Sequence, residues 1–494
     1  VPDVVISGVA QLTNRLTSLA RSVSPMDLMT QVGAEALEDT GAPDAESLVD
    51  AIVVVPVPMW TPADPAAHIA AALHISPAEH WVTATGGEAA VSALNWAAHR
   101  IGAGELGGVL LIGANTMRTV ELAGRQGSVP PWVVEGPPGI PVLGLERAGH
   151  STLEAAAGLD RPARMYPLIE NALRGAHHLS IPEHRRVLGA LFSPFTEVAH
   201  RNPHAWFPTV FSARELAEPT PENRMIAFPY TKRLNAVLAT DQAAAVLVTD
   251  RAAAVRRGAD PDRLVSWWGG AHDHEQAWYV SSRPDLAASP SMASAHHRTL
   301  GMAGVSVDDL AYLDLYSCFP VAVEVACDVL GLDLHDARGL TVTGGLPYAG
   351  GPGSAYTLHS LARMVDILRS EPEQLGLVTG NGWYLSKHSS VVLGGRPRPR
   401  HLPGAPGPST VVRELRSVED RSGPARILSY TVVHDRSGQP KVCIAVLELG
   451  DGVRTVARLE ATPAVLSELE TTELVGCAAD VVATGVAPAR FELR

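Results

Sequence analysis

From Leu313 the chain reads Leu-Asp-Leu-Tyr-Ser-Cys-Phe-Pro to Pro320. This is a buried-strand pattern that breaks into a polar turn and continues as a helix from Val321 to Leu330. A thiol at such a turn, Cys318, has the look of a nucleophile in isolation, and Tyr316 sets a phenol beside it. A second turn, Thr83-Ala84-Thr85-Gly86, offers alcohols, which attack only when a base takes their proton. No base lies nearby in sequence. A glycine loop from Gly344 to Gly353 contains Tyr348 and Gly351, and a further stretch reads Thr379-Gly380-Asn381-Gly382-Trp383-Tyr384. His388, beside Lys387, is the best-placed acid/base. Each has an inert alternative: hydroxyls that satisfy turn amides, glycines that shape a turn, half-buried aromatic rings, a histidine capping a loop, a buried thiol. The pairs His272/His274 and His296/His297 lack acidic or Cys companions at metal-site spacing and read as solvated loop histidines.

The elements that must hold these residues alternate between strand and helix. Strands are predicted at Asp3–Val9, Leu48–Val55, His80–Ala84, Gly108–Gly113 and Ala243–Thr249, and again at Arg263–Trp268, Leu310–Leu315, Gly339–Thr343 and Leu375–Gly380. Helices fall between them, with Pro25–Asp39, a stripe of Ala90, Leu94, Ala97 and Ile101, and Ala355–Arg369 the clearest. Near-continuous apolar strands between helices imply a parallel sheet covered on both faces, built from two halves of similar pattern. From Leu122 to Asn223 prolines, tryptophans and histidines interrupt that regularity, as an inserted loop subdomain would.

Gly395 to Thr410 holds five prolines and reads as a stiff linker. Beyond it, strands at Ala425–His434, Lys441–Leu449, Val453–Leu459, Ala478–Thr484 and Arg490–Leu493 flank one helix at Pro463–Leu474. This is compatible with a small OB-like β-barrel. Such barrels often bind single strands, but this one is not basic, which favours a docking or interaction role.

Composition excludes several classes. A net charge of −13 argues against nucleic acid as a partner. Lys232, Lys387 and Lys441 are the only lysines among 39 Lys and Arg residues, so Arg must supply most phosphate contacts. Four scattered cysteines form no CxxC pair, which points to a reducing, cytoplasmic setting with no metal site built on cysteine. The apolar runs are too short for a membrane span.

These motifs, in this order, resemble the thiolase superfamily over Val1 to Gly395, closest to its thiolase-like proteins with an extra C-terminal domain. The resemblance implies an α/β fold of duplicated five-layered (αβαβα) type. Residues 1–121 and 226–250 would form the N-terminal half and 122–225 the loop subdomain. The C-terminal half would be 251–395, followed by the linker at 396–409 and the OB-like domain at 410–494. The segment at Tyr316 resembles the one that ends N-E-A-F in thiolases, or H-D-C-F in those of the sterol-carrier-protein type. Thr83 then stands at the nucleophilic Cys, Gly351 at the His of the G-H-P loop, and Gly380 at the second Cys. The resemblance therefore implies a protein that binds CoA or an acyl-CoA of lipid, fatty-acid or sterol metabolism, with no covalent cofactor and without acetyl-CoA acetyltransferase chemistry. An alternative is a Tyr-dependent carbon–carbon lyase or other acyltransferase using Tyr316 and Tyr348, with His388 or Thr83 as further candidates. Another is a non-catalytic assembly partner acting through the C-terminal domain. Monomer and homodimer both stay open.

Overall fold

Two runs of strands with the same pairing grammar make up the main sheet. In the first, Val4–Thr13 pairs antiparallel with Asp241–Asp250, which pairs antiparallel with Gly108–Thr116, which runs parallel to Ala51–Val54. In the second, Val265–His274 pairs antiparallel with Lys387–Gly394, that strand antiparallel with Leu375–Gly382, and the last parallel with Tyr312–Asp314. Val5 and Ile6 pair with Ser266 and Val265 and so join the runs into one ten-stranded sheet. The structure, a computed structural model, describes residues 3–399, 415–485 and 488–494. Most of the predicted linker therefore lies outside the described residues.

Both Gly108–Thr116 and Asp241–Asp250 are buried almost throughout, which explains their unbroken apolar runs. The helices Ala89–Gly102 and Tyr356–Ser370 share one apolar cluster with strands of both runs and lie between them. Small side chains (Ala89, Ala90, Ala93, Ala97, Ala98) allow the first of these helices to be buried on nearly every side. Pro25–Glu38 and Pro65–Leu73 pack on one outer face, in a second apolar cluster. Pro290–Ala303 and Pro320–Leu330 pack on the other, in a third.

Several expectations need correction. Gly339–Thr343 is not a strand. The buried Asp314 carboxylate accepts from Thr341 Oγ1 at 2.8 Å, Val342 N at 2.9 Å and Thr343 Oγ1 at 3.1 Å, so the segment's donors turn inward instead of joining a ladder. Lys387–Gly394 is a strand although half its residues are polar, because their hydroxyls find partners: Ser389 Oγ donates to Glu88 O, and Ser390 Oγ to Thr299 Oγ1. The 122–225 stretch contains two long helices, Pro162–Ala176 and Ile181–Arg201, each with a proline inside it. His296 is buried in the helix Pro290–Ala303 rather than solvated in a loop, and its Nδ1 lies 3.1 Å from Ser390 Oγ.

Gly423–His434, Pro440–Leu449, Arg454–Leu459, Ala489–Leu493 and Ala478–Val482 pair in that order, and the last returns to the first, closing a five-stranded barrel. Only the third and fourth of these run parallel. The barrel is joined to the body by Val433 pairing with Ala227, and by buried polar contacts. Asn171 Nδ2 donates to Tyr430 O at 2.9 Å, and Arg454 Nη2 to Pro284 O at 3.0 Å. Arg174, buried on the helix Pro162–Ala176, binds the Glu473 carboxylate with both terminal nitrogens, Nη2–Oε1 at 2.8 Å.

Glu473→Ala leaves the buried Arg174 guanidinium without its carboxylate. The expected loss is about 1–2 kcal/mol. A fully buried pair would cost ~3–5 kcal/mol, but solvent already screens this carboxylate. A urea midpoint equal to that of the parent would show that the pair contributes nothing.

Candidate active-site cavity

The strand Glu79–Thr83 ends in the turn Thr85-Gly86-Gly87, and the buried helix Ala89–Gly102 starts just beyond. Against this turn lies a cavity of about 670 Å³. Tyr316, Cys318 and Phe319 form one side of it, Asn381 and Trp383 another, and Gly353 and Ser354 a third. Arg161 and Tyr166 come from the inserted segment, and Lys232 from the stretch just after it.

Glycines set the approach of these groups. A Cβ on Gly87 would fall 2.0 Å from the Tyr316 hydroxyl, so only glycine lets the phenol reach the helix start. Burial, with Cys318, Tyr356 and Glu88 nearby, pushes the Tyr316 phenol well above its usual range. It stays protonated and is a hydrogen-bond donor, not a base. Tyr166 stacks on Phe319 with ring centroids 4.4 Å apart and donates to Trp383 O at 2.6 Å. Asn381 Nδ2 donates to Tyr166 Oη at 2.9 Å, which leaves Asn381 Oδ1 buried without a partner. Cys318 is the one thiol on this cavity among the described residues. Burial pushes it up to about 12, so it carries negligible thiolate at neutral pH.

Behind the turn lies a buried ion pair. Lys387 Nζ is 2.8 Å from Glu88 Oε1 and donates to Thr85 O at 2.6 Å. Burial raises the Glu88 carboxyl, and Lys387 offsets only part of that rise. A Cβ on Gly382 would fall 1.9 Å from Glu88 Oε2, and one on Gly380 2.7 Å from Glu88 Cα. The helix start therefore occupies the space that a side chain at position 380 would need.

Of the four sequence candidates, only Tyr316 lines this cavity. Thr83 lines a smaller cavity of about 230 Å³, and its buried hydroxyl has no partner. His388 lines a third, of about 350 Å³, together with Glu88 and Lys387. Its Nε2 lies 3.0 Å from Ser289 Oγ, which donates to Glu275 Oε1 at 2.8 Å. Burial holds this imidazole neutral, well below its usual range. Tyr348 is buried with its ring centroid 6.2 Å from that of Phe192, and it lines none of the three cavities. The Gly351 N–H donates to Val237 O at 2.9 Å.

Sequence reasoning missed Glu88, Asn381, Tyr166 and Ser354. The sequence does carry a signal for the first two: a carboxylate directly after Gly86-Gly87, and an amide between two glycines at 380 and 382. Both pairs of glycines are explained by close approach. Tyr166 and Ser354 carry no such mark.

This architecture recurs in solved structures. A monomeric SCP2-thiolase like protein type 1 from Mycobacterium smegmatis matches with a TM-score of 0.84 and 28% identity, over 100% of this chain and 99% of that one. An acetyl-CoA acetyltransferase from Syntrophomonas wolfei matches in fold, with a TM-score of 0.59 and 16% identity over 80% of this chain and 99% of that one. No protein-family model and no curated protein matches the sequence. The chain is thiolase-like and has the fold of the thiolase superfamily.

Two outcomes follow. Gly380→Cys, which sets a thiol where the resemblance expects the second Cys, should cost about 1–3 kcal/mol by overpacking against Glu88 and yield no thiolysis of a 3-ketoacyl-CoA. Calorimetry and a thiolysis assay check both halves. Iodoacetamide at pH 8 should label the exposed Cys477 and leave Cys318 unmodified in peptide mass spectra. Labelling of Cys318 at a comparable rate would show that its thiol is active.

Proposed function

We propose that this chain binds CoA or an acyl-CoA thioester in the 670 Å³ cavity and lacks the Cys-His-Cys chemistry of ordinary thiolases. The observation that carries this reading is the polarity of the cavity. Arg161 and Lys232 are exposed at its edge, and Arg161 stands at the N-cap position of the helix Pro162–Ala176 without a side-chain capping bond; the first residues of that helix also line the cavity. Lys232 forms no ion pair among the described residues, and the carboxylate nearest Arg161, that of Asp160, is 3.8 Å away. Two little-engaged cations and a helix N-terminus suit phosphates. The interior, with Phe319, Leu346 and Tyr316, suits an acyl thioester. The family positions hold Thr83, Tyr316, Gly351 and Gly380, which supply neither a thiolate nor an imidazole to this cavity.

A second reading rests on Tyr316. A protonated phenol in the cavity fits a donor to a thioester carbonyl oxygen, as a carbon–carbon lyase acting on 3-hydroxyacyl-CoA esters, including steroid ones, would need. As to architecture, we read the helices between and outside the two strand runs as five layers. We read the barrel as OB-like: its third and fifth strands in chain order run parallel, and the helix Pro463–Glu468 lies between the third and fourth. Its docking onto the chain's own helix Pro162–Ala176 favours an internal role over assembly with a separate partner.

Titration calorimetry with CoA and with short- and long-chain acyl-CoA esters tests the main reading. Binding should weaken about tenfold in Arg161→Ala and in Lys232→Ala, with a shallower salt dependence in each. No heat with any ester would overturn it. Tyr316→Phe should leave CoA binding intact and abolish any cleavage of 3-hydroxyacyl-CoA. Undiminished cleavage would remove Tyr316 from the chemistry.

A further inference from the structure

Three helices meet away from the cavity at Glu170 (Pro162–Ala176), His184 (Ile181–Arg201) and Glu324 (Pro320–Leu330). All three side chains are at most 2% exposed, and one candidate ligand atom from each lies within 4.8 Å of the other two. We propose that they form a binding site for one divalent first-row transition-metal cation, of the class of Zn²⁺, Mn²⁺ or Fe²⁺.

The argument begins with what these groups lack. His184 Nε2 and Glu170 Oε1 are 2.8 Å apart, yet neither is aligned to bond the other, and both are without a hydrogen-bond partner. Glu324 Oε1 is also unpartnered, and Glu324 Oε2 lies 4.0 Å from His184 Nε2. Glu170 and Glu324 can share a hydrogen bond when one of them is protonated, but His184 Nε2 still has no aligned partner. Buried polar atoms are nearly always satisfied, so this convergence calls for a shared partner. The neighbouring cation does not serve, because Arg174 is committed to Glu473 and to Leu179 O. Two ligand atoms 2.8 Å apart, each about 2.1 Å from a metal, subtend nearly a right angle, which cations of this class accept. Two carboxylates with one imidazole suit a borderline cation rather than Cu(I), which prefers sulfur.

The surroundings brace such a site. The Tyr230 hydroxyl donates to Glu170 Oε2 and so fixes that carboxylate, as groups behind metal ligands do. The Tyr230 ring stacks on Phe319 at 5.6 Å, and Phe319 lines the main cavity. A cation here would tie the helix that starts beside the cavity, Pro320–Leu330, to the two helices of the inserted segment.

The test uses the full-length chain. Elemental analysis of the purified protein comes first, followed by titration of chelator-treated protein with Zn²⁺, Mn²⁺ and anaerobic Fe²⁺, read by bound metal and by melting temperature. One equivalent of one cation should bind and raise the melting temperature. Glu324→Gln and His184→Gln, with far-UV circular dichroism unchanged, should each weaken binding at least about tenfold. A chain that holds no cation and responds to none of the three would overturn the proposal. So would metal binding that both substitutions leave unchanged; the trio would then be a proton-sharing network.

Discussion

One buried carboxylate sets the terms for the site. Glu88 opens the central helix in a place where water cannot solvate it, and the structure compensates with Lys387 and with room made by glycines. A carboxylate and an ammonium taken out of water together are stable only when their remaining polar atoms are also served. Lys387 meets this condition on its own side by donating to Thr85 O as well as binding Glu88, whereas Glu88 Oε2 is left without a partner. Gly380 and Gly382 carry no side chain because Glu88 occupies that volume. Gly87, on the other side, yields its space to the Tyr316 hydroxyl. Positions 316 and 380 are therefore coupled: both face the same helix start.

The barrel takes part in the same site indirectly. Several of its contacts fall on the helix Pro162–Ala176, which bears Tyr166 and Asn171 and is preceded by Arg161. Ser429 Oγ donates to Leu168 O on that helix, and Arg174 on its last turn grips Glu473. A helix held from behind at several points presents its first turn and Tyr166 to the cavity with little freedom. Buried polar contacts of this kind fix position more than they add stability.

Much of this was legible in the sequence, and the failures have physical causes. The strands read well where burial on both faces leaves an apolar run, as at Gly108–Thr116 and Asp241–Asp250. Lys387–Gly394 escaped because its buried hydroxyls imitate a surface segment until their partners are known. Gly339–Thr343 misled in the opposite direction, its backbone donors claimed by Asp314. The helices after Pro162 hid behind Pro167 and Pro194, which reading by local propensity takes as breaks. Tyr316 was found because a motif framed it. Thr83 and Tyr348 were grouped with it by motif and His388 by its acid/base chemistry, yet the fold sends them to separate environments. Glu88 and Asn381 were written beside glycines, but the reason for those glycines is visible only in three dimensions.

The electrostatics of the cavity narrow the chemistry it can host. Its interior groups are neutral at physiological pH: a phenol and a thiol that burial keeps protonated, an amide, and backbone. The nearest buried charges, Glu88 and Lys387, neutralise each other behind the turn. Formal charge is thus confined to Arg161 and Lys232 at the exposed edge. Such a division favours a ligand that is anionic at one end and uncharged at the other, since an anion carried inside would find donors but no compensating cation. It also separates binding from reaction. A nucleophile cannot be generated where each acidic group resists ionisation, whereas a protonated phenol can stabilise negative charge that develops on a substrate oxygen. Any turnover in this cavity must therefore draw its base from the substrate, from water, or from a change in the Glu88–Lys387 pair. That last route would couple chemistry to the interaction that holds the helix start in place.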